Sequence, residues 1–125
     1  MTEFRIERWN NIYAPNGAML RFTMEREGYR VYQWGDMPGA VYGLRKHAQA
    51  QSRWIISGTL EITIERREPY TLQAGDRDFM PANLWYSMHI LGEENEEQDD
   101  DETPDKDGEP DEPKPVIYFI GEKIK

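Results

Sequence analysis

The sequence predicts an all-β fold of the sandwich or barrel type. Short apolar runs recur along the chain with turn-forming residues between them, and no stretch has the length, the 3.6-residue period and the capping residues of a convincing helix. The run LEITIE at 60–65 alternates apolar and polar side chains, which is the period of a strand with one buried face. With 125 residues, the chain can bury one hydrophobic core but not two. We therefore expect a single domain over residues 1–125.

About nine short strands are predicted, in chain order. The N-terminal part contributes three of them, at 4–9, 18–24 and 29–34. The next two, RWIISG and TLEITI, meet at Ser57-Gly58 and are predicted to form a hairpin. The other four are expected at 69–73, 78–81, 85–91 and 116–121.

Residues 93–114 interrupt this pattern. They contain 13 Asp or Glu and two Lys, a net charge of −11, so the rest of the chain carries about +2 of the total of −9. The segment has no aromatic or aliphatic side chain with which to offset the entropy of ordering. Because strand-like residues resume at Val116, we interpret it as an acidic loop inserted before the closing strand of the domain. The alternative is a surface for a cation or a basic partner.

Several classes of protein are disfavoured by composition. No run approaches 18 consecutive apolar residues, the N-terminus lacks the layout of a secretory signal, and Cys is absent. The near-neutral remainder of the chain has no basic stripe of the kind that nucleic-acid binding requires. We expect a cytoplasmic protein that binds neither nucleic acid nor a membrane.

Two segments on either side of the predicted hairpin carry a family signature. They read GAVYGLRKHAQAQSRWIISG at 39–58 and GDRDFMPANLWYSMHI at 75–90. In spacing they resemble the two motifs of the cupin superfamily, G-x5-H-x-H-x3-E-x6-G and G-x5-P-x-G-x2-H-x3-N. The glycines and the proline of the pattern are present as Gly39, Gly58, Gly75 and Pro81. The resemblance, to small single-domain bacterial cupins, implies a jelly-roll barrel (a double-stranded β-helix).

The positions that hold a metal in metal-bearing cupins have changed. The family uses two His, one Glu and a later His, and these positions are occupied here by Arg45, His47, Gln51 and Tyr86. Arg cannot accept a hydrogen bond or donate a lone pair to a metal, and a single good ligand does not make a tight site. We therefore predict neither a metal nor another cofactor, with a weak divalent-metal site around His47 as the alternative.

The same four residues are predicted to form a binding pocket. Arg45, His47 and Gln51 are separated by even offsets, which would place them on one face of a strand, and Tyr86 would join them from the second motif. Arg45 suits a carboxylate or phosphate, and Trp54 is a candidate apolar wall. This set predicts a small polar or anionic ligand.

The alternative interpretation is that the barrel contains no binding site. The polar side chains would then form hydrogen bonds with one another inside the barrel, and Arg45 would pair with Asp76 or Asp78.

The second histidine, His89, is predicted to point outward, because Tyr86 and His89 have opposite parity on a strand.

Three functional classes are open at this point. The first is a non-catalytic or uncharacterised cupin that binds a small molecule or another protein. The second is a metal-independent sugar isomerase or epimerase in which His47 and Tyr86 act as base and acid from opposite faces of a sugar ring. The third is a metal-dependent oxidoreductase, which the missing ligands disfavour. An open cavity about one sugar ring wide between His47 and Tyr86 would support the second class.

The family resemblance also implies assembly. Small cupins commonly form homodimers, and exposed strand edges favour pairing between chains. The apolar N-terminal residues Phe4, Ile6 and Trp9 are the predicted contact.

Overall fold

Nine β-strands and one α-helix follow one another in the computed structural model, which describes residues 4–92 and 114–124. Of the acidic segment, only Lys114 lies within these ranges. The elements are β1 (Arg5–Glu7), α1 (Gly17–Arg26), β2 (Tyr29–Asp36), β3 (Val41–Arg45), β4 (Gln51–Ser57), β5 (Thr59–Ile64), β6 (Tyr70–Gln73), β7 (Arg77–Met80), β8 (Tyr86–Gly92) and β9 (Val116–Lys123).

The strands form two antiparallel sheets. One has five strands in the order β1-β7-β4-β9-β2, and the other has four in the order β3-β8-β5-β6. Strands that are distant in sequence lie side by side in both sheets, as in a jelly-roll barrel. The predicted all-β jelly-roll fold is confirmed.

The main core lies between the two sheets. On β5, the alternating residues Leu60, Ile62 and Ile64 are at most 1% exposed. They belong to one core cluster with Ile90 on the neighbouring strand β8 and with Tyr118 on β9 of the opposite sheet. Burial of an aliphatic side chain of this size contributes about 1.5–3 kcal/mol, so this face of β5 is a main source of stability.

The strand predicted at 18–24 is wrong, because this segment is part of α1. The Asn16 side chain caps the helix by accepting a hydrogen bond from the Met19 N–H at 3.1 Å. Leu20 and Met24, one helical turn apart, are buried against Phe119 on the outer face of the five-stranded sheet. The apolar residues of this short segment fit both the 2-residue period of a strand and the 3.6-residue period of a helix. The contact with the sheet selects the helix.

Strand β3 was not among the predicted strands. Most of its residues are exposed, it contains Gly43, and it lies at the edge of the four-stranded sheet beside β8. Its register with β8 shifts between Tyr42 and Arg45, which marks a bulge. Because β3 is an exposed edge strand with a bulge, its sequence lacks the alternation of apolar and polar residues by which a strand is recognised.

The predicted dimer contact at the N-terminus is used within the chain. Phe4 and Ile6 are half-buried against the main core. Trp9 packs over Gly75, where φ is +92° and a Cβ atom would collide with the indole ring. The glycine at this motif position is therefore required both by the backbone conformation and by the close approach of Trp9.

No helix in the described part of the chain is both long and apolar enough to cross a membrane.

Candidate functional site

A cavity of about 330 Å³ lies inside the barrel, where the edge strands β2 and β3 of the two sheets approach each other. Much of its wall is aromatic. Five aromatic residues line it: Tyr32, Trp34, Tyr42, Tyr86 and Tyr118. Its volume is at the lower end of the range that small-molecule sites occupy, about 300–1,000 Å³.

The structure places four of the five predicted binding residues on this cavity: Arg45, His47, Gln51 and Tyr86. Arg45 ends β3 directly opposite Tyr86 on β8. His47 lies in the connection between β3 and β4, where its carbonyl oxygen accepts a hydrogen bond from the Asn83 N–H at 2.7 Å. The argument from shared strand parity was wrong, because this connection separates Arg45 from Gln51. Their role in binding stays a prediction.

Trp54, the fifth predicted residue, does not line the cavity. It lies on the outer face of the five-stranded sheet, where its Nε1–H donates to the Gly75 carbonyl oxygen at 2.9 Å. The guanidinium of Arg77 covers its ring at 4.4 Å. Side chains alternate along β4, so Gln51 and Arg53 face inward and Trp54 faces outward.

Two other aromatic residues of the motif segments differ in position: Tyr42 lines the cavity, whereas Trp85 is exposed beneath Lys46. His89 is exposed, as its parity predicted.

His47 and Tyr86 form a hydrogen-bonded pair. Nε2 of His47 lies 2.7 Å from the Tyr86 hydroxyl, and the imidazole tautomer decides which group donates. Burial lowers the pKa of His47, and the guanidinium groups of Arg53 and Arg45 lower it further. Burial also raises the pKa of Tyr86. At neutral pH the pair is therefore a neutral imidazole beside a neutral phenol.

Arg53 is the most unusual residue of the cavity wall, and the sequence analysis missed it. Its side chain is 2% exposed, and Nη2 lies 3.3 Å from the Asp78 carboxylate, which is completely buried. That contact lacks the alignment of a hydrogen bond, and both Nε and Nη2 are without an acceptor among the described residues. Arg53 stacks on the ring of Tyr86 at 4.8 Å. Arg53 follows Gln51 by two residues on one strand, so the two side chains face the same side, and this spacing could have identified it from the sequence.

Asp36 holds two of the aromatic walls in place. Its carboxylate accepts a hydrogen bond of 2.7 Å from the hydroxyl of Tyr42 and another of 2.7 Å from that of Tyr118. Burial and the bond to Asp36 raise the pKa of both tyrosines, so they keep their protons at neutral pH. Because both hydroxyls donate to Asp36, neither proton is free to be donated to a ligand in the cavity.

Two charged residues of the wall, Arg45 and Glu122, form no ion pair with another described residue. Arg45 instead lies over the ring of Tyr42 at 4.7 Å. The pairing considered for Arg45 is wrong, because both acidic candidates hold other partners. Asp76 binds Arg8 at 2.9 Å, and Asp78 is beside Arg53.

The residues at the family's metal positions do not fit a metal ion. Arg45 has no lone pair to offer, and the remaining good ligand, His47, is bonded to Tyr86 through Nε2. The guanidinium groups of Arg45 and Arg53 line the same cavity and would repel a divalent cation. Within residues 4–92 and 114–124, no three His, Asp or Glu side chains are grouped as metal ligands.

Three solved structures with a similar fold cover between 77% and 97% of this chain. A cupin 2 domain-containing protein from Halorhodospira halophila superimposes with a TM-score of 0.60 at 14% identity, covering 97% of this chain and 76% of that one. A DUF861 family protein from Thermotoga maritima superimposes with a TM-score of 0.53 at 14% identity. The match covers 94% of this chain and 97% of that one. The DMSP lyase DddQ from Ruegeria pomeroyi gives 0.55 at 16% identity, with 77% of this chain but only 38% of the lyase covered. At these identities the likeness shows the fold alone.

Sequence comparisons give the family. No curated protein matches the chain. The family described as Cupin domain matches residues 33–96, slightly more than half of the 125 residues, and the match includes both motifs and most of the cavity wall. This protein belongs to the cupin domain family.

Proposed function

We propose that this cupin domain binds a small polar or anionic molecule in its barrel cavity and does so without a resident metal. The observation that carries the proposal is the guanidinium of Arg45, which lines the cavity, is exposed and forms no ion pair among the described residues. A carboxylate or phosphate that enters the cavity would meet the planar donors of this group.

The absence of a resident metal is proposed from the chemistry of the ligand positions. Arg45 and Gln51 stand where the family has a His and a Glu, and neither is a strong metal ligand. What the cavity offers instead is positive charge and hydrogen-bond donors, which suit an oxyanion.

The alternative function, a metal-independent sugar isomerase or epimerase, receives less support. That mechanism needs His47 and Tyr86 on opposite faces of a ring, with space for the ring between them. The two side chains are instead in direct contact through a hydrogen bond of 2.7 Å. A sugar ring cannot lie between two atoms at that separation.

Thermal-shift measurements on the purified protein test the proposal, with panels of carboxylates, sugars and nucleotides. We expect carboxylates to raise the melting temperature in a concentration-dependent way, because a ligand of the folded state stabilises it by mass action. The variant Arg45→Gln should reduce the shift, whereas Arg26→Met, on the exposed face of α1, should not. If no compound of the three classes raises the melting temperature at millimolar concentration, the proposal is wrong.

Elemental analysis of the same preparation tests whether the protein contains a metal. We expect no metal at a stoichiometric level. About one Fe, Zn, Mn or Ni per chain, lost in His47→Ala, would overturn the metal-free part of the proposal.

A further inference from the structure

Two opposite charges on the cavity wall have no ion-pair partner. Arg45 and Glu122 both line the cavity, and neither forms a salt bridge with another described residue. The remaining ionisable groups of the wall offer no free charge. Arg53 is compensated by Asp78, and burial lowers the pKa of His47, which is therefore neutral at neutral pH. One cationic and one anionic group are left for a ligand.

The two free charges are held by different sheets near the same imidazole. Arg45 ends β3 in the four-stranded sheet, whereas Glu122 lies near the end of β9 in the five-stranded sheet. Burial and then the charge of Arg53 lower the pKa of His47, the charge of Arg45 lowers it further, and that of Glu122 opposes the shift. Both side chains are therefore close to His47, although they form no ion pair with each other.

Aromatic rings lie beside Glu122. Tyr32 and Trp34 line the cavity from β2, the strand next to β9, and both rings are exposed. Tyr32 is opposite Ile120 in the register, so Glu122 is its diagonal neighbour on the same face. Arg30, directly opposite Glu122, is exposed and forms no ion pair with it. A cation here would meet a carboxylate and aromatic faces together, and both attract positive charge.

We propose that the ligand is a short zwitterion of the betaine type, in which a carboxylate is joined to an alkylated ammonium group. This inference rests on the proposed function and names the ligand class for the same cavity. Arg45 holds the carboxylate through the planar donors of its guanidinium. Glu122 and the rings of Tyr32 and Trp34 hold the cation. A simple anion would instead bring a second negative charge towards Glu122 without a partner for that residue.

The supply of hydrogen-bond acceptors favours an alkylated ammonium over a primary one. A primary ammonium has three N–H donors to satisfy. Asp36 already accepts from two tyrosine hydroxyls, and His47 is bonded to Tyr86. Glu122 is the carboxylate of the wall that has no such partner, and much of the remaining surface is aromatic. An alkylated ammonium needs no acceptor and is attracted by the faces of aromatic rings.

Calorimetric titration with three probes of nearly equal size tests this inference. Glycine betaine carries both charges. The anion of tert-butylacetic acid keeps the shape and the carboxylate but has a neutral carbon in place of the ammonium nitrogen. Choline keeps the trimethylammonium group and has a hydroxymethyl group in place of the carboxylate. We expect betaine to bind the wild type at least about tenfold more tightly than either of the other two, the gain from one charge-assisted contact.

Two variants assign the two ends of the ligand. Glu122→Gln should weaken betaine binding at least about tenfold, while the anion of tert-butylacetic acid binds at least as tightly as before. Arg45→Gln should weaken both carboxylates by at least about tenfold, while choline binds at least as tightly as before. The matched controls are Glu61→Gln, half-buried on the outer face of β5, and Arg26→Met on the exposed surface of α1. Both controls should leave all three affinities unchanged.

The outcomes separate this inference from the proposed function. If the anion of tert-butylacetic acid binds as tightly as betaine, or if Glu122→Gln binds betaine as tightly as the wild type, the zwitterion is wrong while anion binding in the barrel stands. Choline that binds as tightly as betaine would contradict the carboxylate contact at Arg45. If none of the probes binds but another carboxylate raises the melting temperature, the inference alone fails. If the carboxylate, sugar and nucleotide panels are also without effect, both fail.

Discussion

At the scale of single residues, His47 links stability to pH. Its pKa in the folded protein lies below the ordinary value of 6.5, because of burial and then the guanidinium groups of Arg53 and Arg45. The unfolded chain therefore takes up the proton first as pH falls. The contribution of neutral His47 to the free energy of unfolding is fully present above about pH 6.5, and it is lost as pH falls through the folded-state pKa.

Urea unfolding between pH 5 and 8 measures this effect. We expect the free energy of unfolding of the wild type to decrease towards the acidic end and that of His47→Gln to decrease less. The variant His89→Gln is the matched control, because His89 is exposed on the outer side of the barrel. Equal pH profiles for the wild type and His47→Gln would contradict the prediction.

Arg53 and Asp78 act as one electrostatic unit, and the two residues should not be separable by mutation. Asp78 is completely buried and accepts hydrogen bonds from the Arg53 backbone N–H at 3.0 Å and the Tyr70 hydroxyl at 2.9 Å. Loss of one partner of a buried ion pair typically costs about 3–5 kcal/mol, because the other charge stays buried. Arg53→Met should lower the free energy of unfolding by this amount, and adding Asp78→Asn should restore most of it. Additive losses in chemical denaturation would show that the two charges are independent.

At the scale of elements, β5 is the strand whose inward face the core most requires. Ile62 is completely buried, and a carboxylate there would be desolvated without a partner. We expect Ile62→Asp to unfold the domain, as measured by loss of its β-sheet circular dichroism signal. Thr63→Asp is the matched control, since the next side chain points to the opposite face of β5 and is half-buried. A folded Ile62→Asp variant would contradict the assignment of this core.

At the scale of the whole molecule, the acidic segment should be dispensable for folding. Its flanking strands end close together, because Gly92 pairs with Thr59 and Val116 packs against the adjacent Gly58. A short Gly-containing turn in place of residues 95–112 should therefore leave the barrel folded, since each doubling of loop length changes the closure cost by only about 0.6 kcal/mol. The deletion removes 11 acidic residues and one Lys, so the net charge changes from −9 to about +1, and solubility near neutral pH should decrease. Circular dichroism of a truncated protein that fails to fold would show that the barrel requires the segment.

Assembly is the second prediction at this scale. We expect a homodimer, because β2 is an edge strand of the five-stranded sheet and its outer backbone groups are available to pair with a strand of a second copy. The N-terminal residues predicted from sequence are less suitable, since Phe4 and Ile6 pack within the chain. Light scattering over a range of concentrations measures the mass, and a monomer at every concentration would rule out the dimer.

The family and most of the strands were determined by the sequence alone, because these features depend on local backbone geometry. Alternation of Leu60, Ile62 and Ile64 identifies a strand without knowledge of its neighbours. The motif glycine Gly58 has φ of +89°, a backbone conformation that residues with a side chain rarely adopt.

The polar interior and the helix were decided by the tertiary structure. Arg53 was overlooked because its importance comes from Asp78, 25 residues later, and from a cavity whose walls belong to strands far apart in sequence. Residues 18–24 became helical because Leu20 and Met24 bury themselves against a sheet that includes the C-terminal strand β9. Local pattern selects backbone geometry, but the pairing of charges and the choice between two compatible periods depend on which distant strands the fold brings together.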